Sequence, residues 1–158
     1  RNSLGACNTP VRSVFVGGGS PSPYAGTDTI DFVVTASTGN AADFDGLAPG
    51  INRATNCHAN HTRAVMATKN GDGAYALELV SGGNVFYFAD LVEPNRDGCF
   101  NTGNMVRGVI GGGFPAYNTR MEEVMISSGG TATDFGEMVF AVATGSSFSD
   151  SHGGLGGY

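Results

Sequence analysis

Arg12-Ser13-Val14-Phe15-Val16-Gly17-Gly18-Gly19 returns later in the chain as Arg107-Gly108-Val109-Ile110-Gly111-Gly112-Gly113, and a degenerate copy, Arg63-Ala64-Val65-Met66-Ala67, stands between them. A second phrase recurs downstream of each: Ala42-Asp43-Phe44-Asp45-Gly46-Leu47, Phe86-Tyr87-Phe88-Ala89-Asp90-Leu91 and Thr133-Asp134-Phe135-Gly136-Glu137-Met138. The period, about 44 to 51 residues, is that of propeller blades and related repeat arrays. Such a repeat constrains the fold strongly and the chemistry weakly.

Each unit reads as four short strands. The first is a stretch of small residues: Gly5 to Thr9, Thr55 to Ala59, Cys99 to Gly103. The second starts at the recurrent Arg and is apolar: Val14 to Val16, Val65 to Ala67, Val109 to Ile110. Short unbroken apolar runs suit a strand covered on both faces. Glycines then end it, because glycine accepts positive φ and close backbone approach. A variable polar segment follows, replaced in the second unit by the tight-turn sequence Asn70-Gly71-Asp72-Gly73. The third strand spans Thr29 to Thr35, Tyr75 to Val80 and Glu122 to Ser127. In the first of these, Ile30, Phe32 and Val34 give the alternation of a half-buried strand. A serine–glycine hairpin leads to the fourth strand, which carries Phe44, Phe88 or Phe135. The units run over about residues 1–52, 53–95 and 96–143, and a partial fourth covers 144–158. They form one repeat domain with no internal linker.

Composition agrees with short strands and tight turns. The 158 residues include 26 Gly and 6 Pro, far above ordinary usage, and no helical stripe is visible. The net charge of -6 repels polyanions, so neither nucleic acid nor an anionic membrane surface is an expected partner. No apolar run is long enough for a membrane-spanning helix. The chain opens on Arg1 rather than Met, which suggests a processed protein or a fragment. Cys7, Cys57 and Cys99 are odd in number, so they cannot all pair internally. Cys7 and Cys57 hold nearly equivalent places in two units, where a bridge is conceivable and small core fillers are the plainer reading.

A leading strand of small residues, an apolar strand ending in glycines, a variable loop, an outer strand and an aromatic-bearing last strand follow the order of a kelch-type blade. Phe44, Phe88 and Phe135 stand where kelch blades have Trp, and this chain has no Trp. The sequence more closely resembles repeat arrays in the tail fibres of tailed bacteriophages, notably those infecting cyanobacteria and other aquatic bacteria. The resemblance rests on Thr29-Ile30-Asp31-Phe32, on Ala36-Ser37-Thr38-Gly39-Asn40-Ala41, on Asp43-Phe44, and on the strand that joins an Arg to a glycine triplet. It covers nearly the whole chain, with the second unit matching least. It implies a β-propeller serving as an adhesive head of a virion, contacting surface glycan or protein, and assembling with other virion proteins and with copies of itself. Three units and the start of a fourth do not close an ordinary ring. A longer protein, closure shared between chains and a different stacking of the units are all compatible with that count.

The candidate chemistry is sparse. Asp31, Asp43, Asp90 and Asp134 recur once per unit, as turn or cap residues do, whereas a glycosidase needs two carboxylates converging on one bond. Arg12, Arg63 and Arg107 could take an anionic sugar, but a repeated Arg suggests a charge-assisted hydrogen bond within or between units. Cys57, His58 and His61 lack the second ligand pair of a structural zinc site. No catalytic triad, metal loop or dinucleotide fingerprint is visible, so no enzyme, metal or cofactor is expected. The loops after the glycine triplets are the best binding candidates. Tyr24, Phe114 and Tyr117 lie there among Pro and Gly, and exposed aromatics on rigid loops stack on sugar rings. Attachment without catalysis is the first reading. A purely structural fibre or spike subunit and a glycan-degrading propeller enzyme are the alternatives.

Overall fold

The computed structural model describes residues 3–19, 26–46, 53–69, 71–94, 97–114 and 117–148, with backbone alone described for 53–55. The described residues form strands, turns and irregular segments, with no helix among them. Three sheets follow one another along the chain, none closed into a barrel. The first contains β1 (Gly5–Asn8), β2 (Arg12–Val16), β3 (Thr29–Val34) and β4 (Ala42–Gly46), each antiparallel to the next. The second contains β5 (Arg53–Ala59), β6 (Arg63–Lys69), β7 (Gly73–Glu78) and β8 (Phe86–Asp90) in the same meander. The third contains β9 (Phe100–Gly103), β10 (Arg107–Gly111), β11 (Arg120–Met125) and β13 (Thr133–Glu137), while β12 (Gly130–Thr131), which lies between β11 and β13 along the chain, belongs to the second sheet. Here β13, not β12, pairs with β11.

The four strands expected in each unit are therefore present, and β12 was not foreseen. It leaves its own unit and pairs in parallel with β8, Gly130 opposite Ala89 and Thr131 opposite Asp90. The Ala132 amide extends the contact by donating to the Asp90 carbonyl at 2.8 Å. The serine–glycine hairpin of the third unit thus covers the edge of the second sheet. Such an edge, left open, presents unpaired backbone groups to other chains.

The sheets lie side by side, with β1 against β5 and β5 against β9. Side-chain alternation divides the core into two seams. Cys7, Val14, Val16 and Ile30 of the first sheet meet Met66, Tyr75, Leu77 and Leu79 of the second. Val65, Ala67, Ala74 and Ala76 point the other way and meet Ile110, Val124 and Ile126 of the third. Cover on both sides explains why β6 and β7 are buried along nearly their whole length. The expectation of two-sided cover holds best for β6. In β2 only Val14 and Val16 are fully buried, because Ser13 and Phe15 face away from the second sheet.

The glycine triplets end β2 and β10 as expected. Gly17 and Gly112 occupy equivalent places with φ of 59° and 65°, a region that other residues enter only with strain. Before each second strand a repeated turn anchors the Arg. The backbone amides of Arg12, Arg63 and Arg107 donate to Thr9 Oγ1, Asn60 Oδ1 and Asn104 Oδ1 at 3.1, 2.8 and 3.0 Å. Short polar side chains favour such local turns. This turn fixes the structural alignment of the units and makes the one-residue offset between the two cysteines explicit. Counting back from it, Cys7 is equivalent to His58, and Cys57 to Ala6. The pairing agrees with this count, since Cys7 is opposite Val14 and His58 opposite Val65, each two residues after its Arg.

Candidate ligand-binding loop and the seams that hold it

The recurrent arginines tie neighbouring sheets together. Arg12 Nη1 donates to the Leu79 carbonyl of the second sheet at 3.2 Å, and Arg63 Nη1 donates to the equivalent Ile126 carbonyl of the third at 2.9 Å. Each guanidinium also stacks on the aromatics of its own sheet. Arg12 lies over Phe32 and Phe44, with centroids at 5.1 and 6.0 Å. Arg63 lies over Phe86 and Phe88 at 5.9 and 4.9 Å, and Arg107 over Phe135 at 5.8 Å. The planar guanidinium can stack by its face while donating in its plane. Phe44, Phe88 and Phe135 therefore serve as seats for the arginines. That coupling was not read from the sequence, although the regular recurrence of both residue types was its signal.

Arg107 breaks the series. Its Nη1 donates to Glu123 Oε2 at 2.7 Å within its own sheet, and its side chain is 48% exposed. The pairing, with a further hydrogen bond from Thr133, holds the Glu123 carboxyl below the usual carboxylate range.

A second set of cross-seam links lies on the inner strands. Cys7 and Cys57 lie in one buried cluster where β1 runs against β5, and the neighbouring Cys7 thiol together with burial raises the Cys57 thiol well above its ordinary value. At the equivalent place in the next seam, His58 Nδ1 hydrogen-bonds Asn101 Oδ1. Oδ1 accepts, so Nδ1 carries a proton. The bare Nε2 is buried. Burial lowers the His58 pKa to about 4, outweighing the bond to Asn101. The Asn101 amide donates onward to the Val65 carbonyl at 3.1 Å. The last member of the series is Thr102, whose hydroxyl donates to the Phe148 carbonyl. The chain beyond β13 thus runs beside β9, held also by Thr144 N to the Gly98 carbonyl at 2.7 Å and Asn101 N to Ser147 Oγ at 3.1 Å.

These positions separate the residues of one candidate site. Cys57 faces the first sheet and His58 the third, so Cys57, His58 and His61 do not converge on one centre. The recurrent carboxylates are distributed over the three sheets. Asp90 accepts from the Tyr87 hydroxyl, which raises the Tyr87 pKa to about 12. Asp134 accepts from the Gly136 amide at 3.4 Å. Asp31 and Asp43 are opposite each other across β3 and β4. Among the carboxylates outside that series, Glu122 is fully buried and accepts from the Val92 and Glu93 amides at 2.8 and 3.1 Å, a structural use.

The aromatic loop is brought together. Phe114 and Tyr117 are 46% and 51% exposed, with ring centroids 4.5 Å apart and planes inclined by 60°. Phe114 is anchored by a backbone bridge to Asp97: its amide donates to the Asp97 carbonyl at 2.6 Å and receives the Asp97 amide at 3.2 Å. Asp97 is paired with Lys69 of the second sheet at 3.4 Å. The Tyr117 amide closes the loop on the Gly113 carbonyl at 3.1 Å. Two exposed rings are thus carried on backbone that is pinned on both sides. Tyr24 lies outside the described residues.

No protein-family model matches the chain, and no curated protein sequence matches it.

Proposed function

We propose that the chain is a kelch-like propeller segment of a virion tail fibre that attaches, without catalysis, to a glycan or protein on the host surface. The single observation that carries this reading is the exposed Phe114–Tyr117 pair on its pinned loop. Paired aromatic faces suit sugar rings, which present apolar C–H surfaces, and a pinned loop loses little freedom on binding. The blade reading is supported by three successive antiparallel sheets whose first strands lie side by side. The fibre reading rests on the sequence resemblance. In a virion, copies of the chain and other fibre proteins would present several such loops at once, turning weak single contacts into avidity.

The test is binding to a glycan panel and to intact bacterial cells. Pairs of aromatic rings gain about 0.5–1.5 kcal/mol beyond their buried area, and a sugar face stacked on a ring is assigned the same scale. Phe114→Ala and Tyr117→Ala should therefore each weaken binding by about three- to tenfold. Their melting temperatures should stay close to the parent's. Unchanged binding by both variants would remove the loop from the reading. Failure of the parent to bind any surface would favour a purely structural fibre subunit, and release of sugar from a bound glycan would favour an enzyme.

A further inference from the structure

Every inner strand carries a side-chain link at the position occupied in turn by Cys7, His58 and Thr102. In the second seam the link is the His58–Asn101 hydrogen bond, and beyond the third sheet it is the Thr102 bond to the Phe148 carbonyl. In the first seam the two partners are thiols, on strands that lie against each other. Cys7 and Cys57 are 9% and 7% exposed and belong to one apolar cluster. Cys99 belongs to the other cluster and is fully buried there.

We propose that Cys7 and Cys57 are a redox pair, joined on oxidation by a disulfide that staples the first sheet to the second. All three cysteines are free thiols in the structure, so this is the reduced state of the pair. A low-molecular-weight disulfide such as oxidised glutathione supplies the oxidant. One cysteine thiolate attacks a glutathione sulfur, forming a mixed disulfide and releasing the first glutathione. The second cysteine then attacks the mixed disulfide at the protein sulfur and releases the second glutathione. Two protein thiols are oxidised, one glutathione disulfide is reduced, and the two thiol protons end on the departing glutathiones. Exchange needs a thiolate and access; in the closed seam both cysteines are buried, and the Cys57 thiol is raised well above its ordinary value by the Cys7 thiol beside it and by burial. The bond therefore forms as the seam assembles or opens, and once the seam closes it is shielded from reductants. This inference is independent of the attachment reading.

The experiment compares the full chain refolded from denaturant with reduced glutathione alone and with excess oxidised glutathione. Thiols are then counted under denaturing conditions, and peptides are mapped without reduction. The expected result is a fall from three thiols to one, a linked peptide pair containing Cys7 and Cys57, and an unlinked Cys99. The Cys99→Ser variant should fall from two thiols to none, while Cys7→Ser and Cys57→Ser should each keep two. The oxidised chain should melt several degrees higher than the reduced chain, by about 5 °C or more, because the crosslink restricts the unfolded state. Three thiols after oxidation would overturn the proposal. So would pairing with Cys99, disulfides between chains, or stable glutathione adducts on separate cysteines.

Discussion

At the scale of the residue, His58 shows how a seam specifies its own chemistry. The imidazole is 2% exposed, donates from Nδ1 to Asn101, and abuts Gly108, where an added Cβ would collide with the ring. Neutral histidine fits this place and the imidazolium does not, because a buried charge without a counter-ion is costly. The folded pKa of about 4 lies below the ordinary 6.5, so the unfolded chain binds the proton first. The contribution of the site is whole above about pH 6.5 and is lost as pH falls towards 4. The full loss is about 3 kcal/mol. Urea midpoints at pH 7.5 and pH 4.5 measure it. The drop should be smaller in His58→Gln, which has no ionisable group, and an equal drop in both proteins would assign the acid sensitivity elsewhere. The sequence shows His58 beside Cys57 and suggests a shared metal loop. Alternation along β5 instead sends the two side chains to opposite faces.

At the scale of the element, the second strand of each unit works as a clasp. Its arginine is fixed at the backbone by the preceding turn, seated on phenylalanine, and extended to a carbonyl of the next sheet. Removing Arg63 leaves the part-buried Ile126 carbonyl and the Glu78 carboxylate without their donor and uncovers Phe88. Arg63→Ala should cost about 1.5–3 kcal/mol, the usual worth of hydrogen bonds to a charged group. Arg63→Lys should recover only part of that, since an ammonium neither stacks nor forks. Arg107→Ala should cost clearly less, because its exposed pair with Glu123 lies within one sheet. Thermal melts of the three variants test this order, and equal losses at 63 and 107 would refute the clasp. The strand order and the Phe positions were legible because period, glycine triplets and aromatic recurrence are all local signals. The position of β12 was not, since Gly130 and Thr131 look like any hairpin tip and their pairing partner lies on another sheet. Nor were the left-handed backbones of Ser3, Asn56 and Thr144, with φ of 51°, 59° and 57°, since only Asn among these types is enriched there.

At the scale of the whole molecule, the second sheet is the keystone. It is covered by a neighbour on each face, and β12 covers its outer edge. The first and third sheets each bury one face on it. Native-state hydrogen exchange should follow this order, with slowest exchange in β6 and β7 and fast exchange in β4 and β13, whose residues are half-buried or exposed. Uniform protection across the three sheets would argue against unequal cover. Large exposed apolar side chains gather at the far side of the third sheet and in the segment after it. Phe135, Val139, Phe140 and Phe148 are 45%, 87%, 75% and 94% exposed. The repeat made this succession of sheets readable in advance, because each unit needs its neighbour to bury an apolar face. The seam chemistry was unreadable, because it depends on which residues of different units meet.

That difference between seams has a consequence for how the chain finds its order. A protein built from similar units risks joining the wrong ones, by skipping a unit or exchanging it with another copy. Here the first seam matches sulfur with sulfur, and the second matches imidazole with carboxamide. A skipped unit would set Cys7 against Asn101, leaving a buried carboxamide facing a weak donor and His58 with no carboxamide at all. Similar modules thus carry distinct addresses, and the misordered chain is penalised where the seam residues of its units differ in kind.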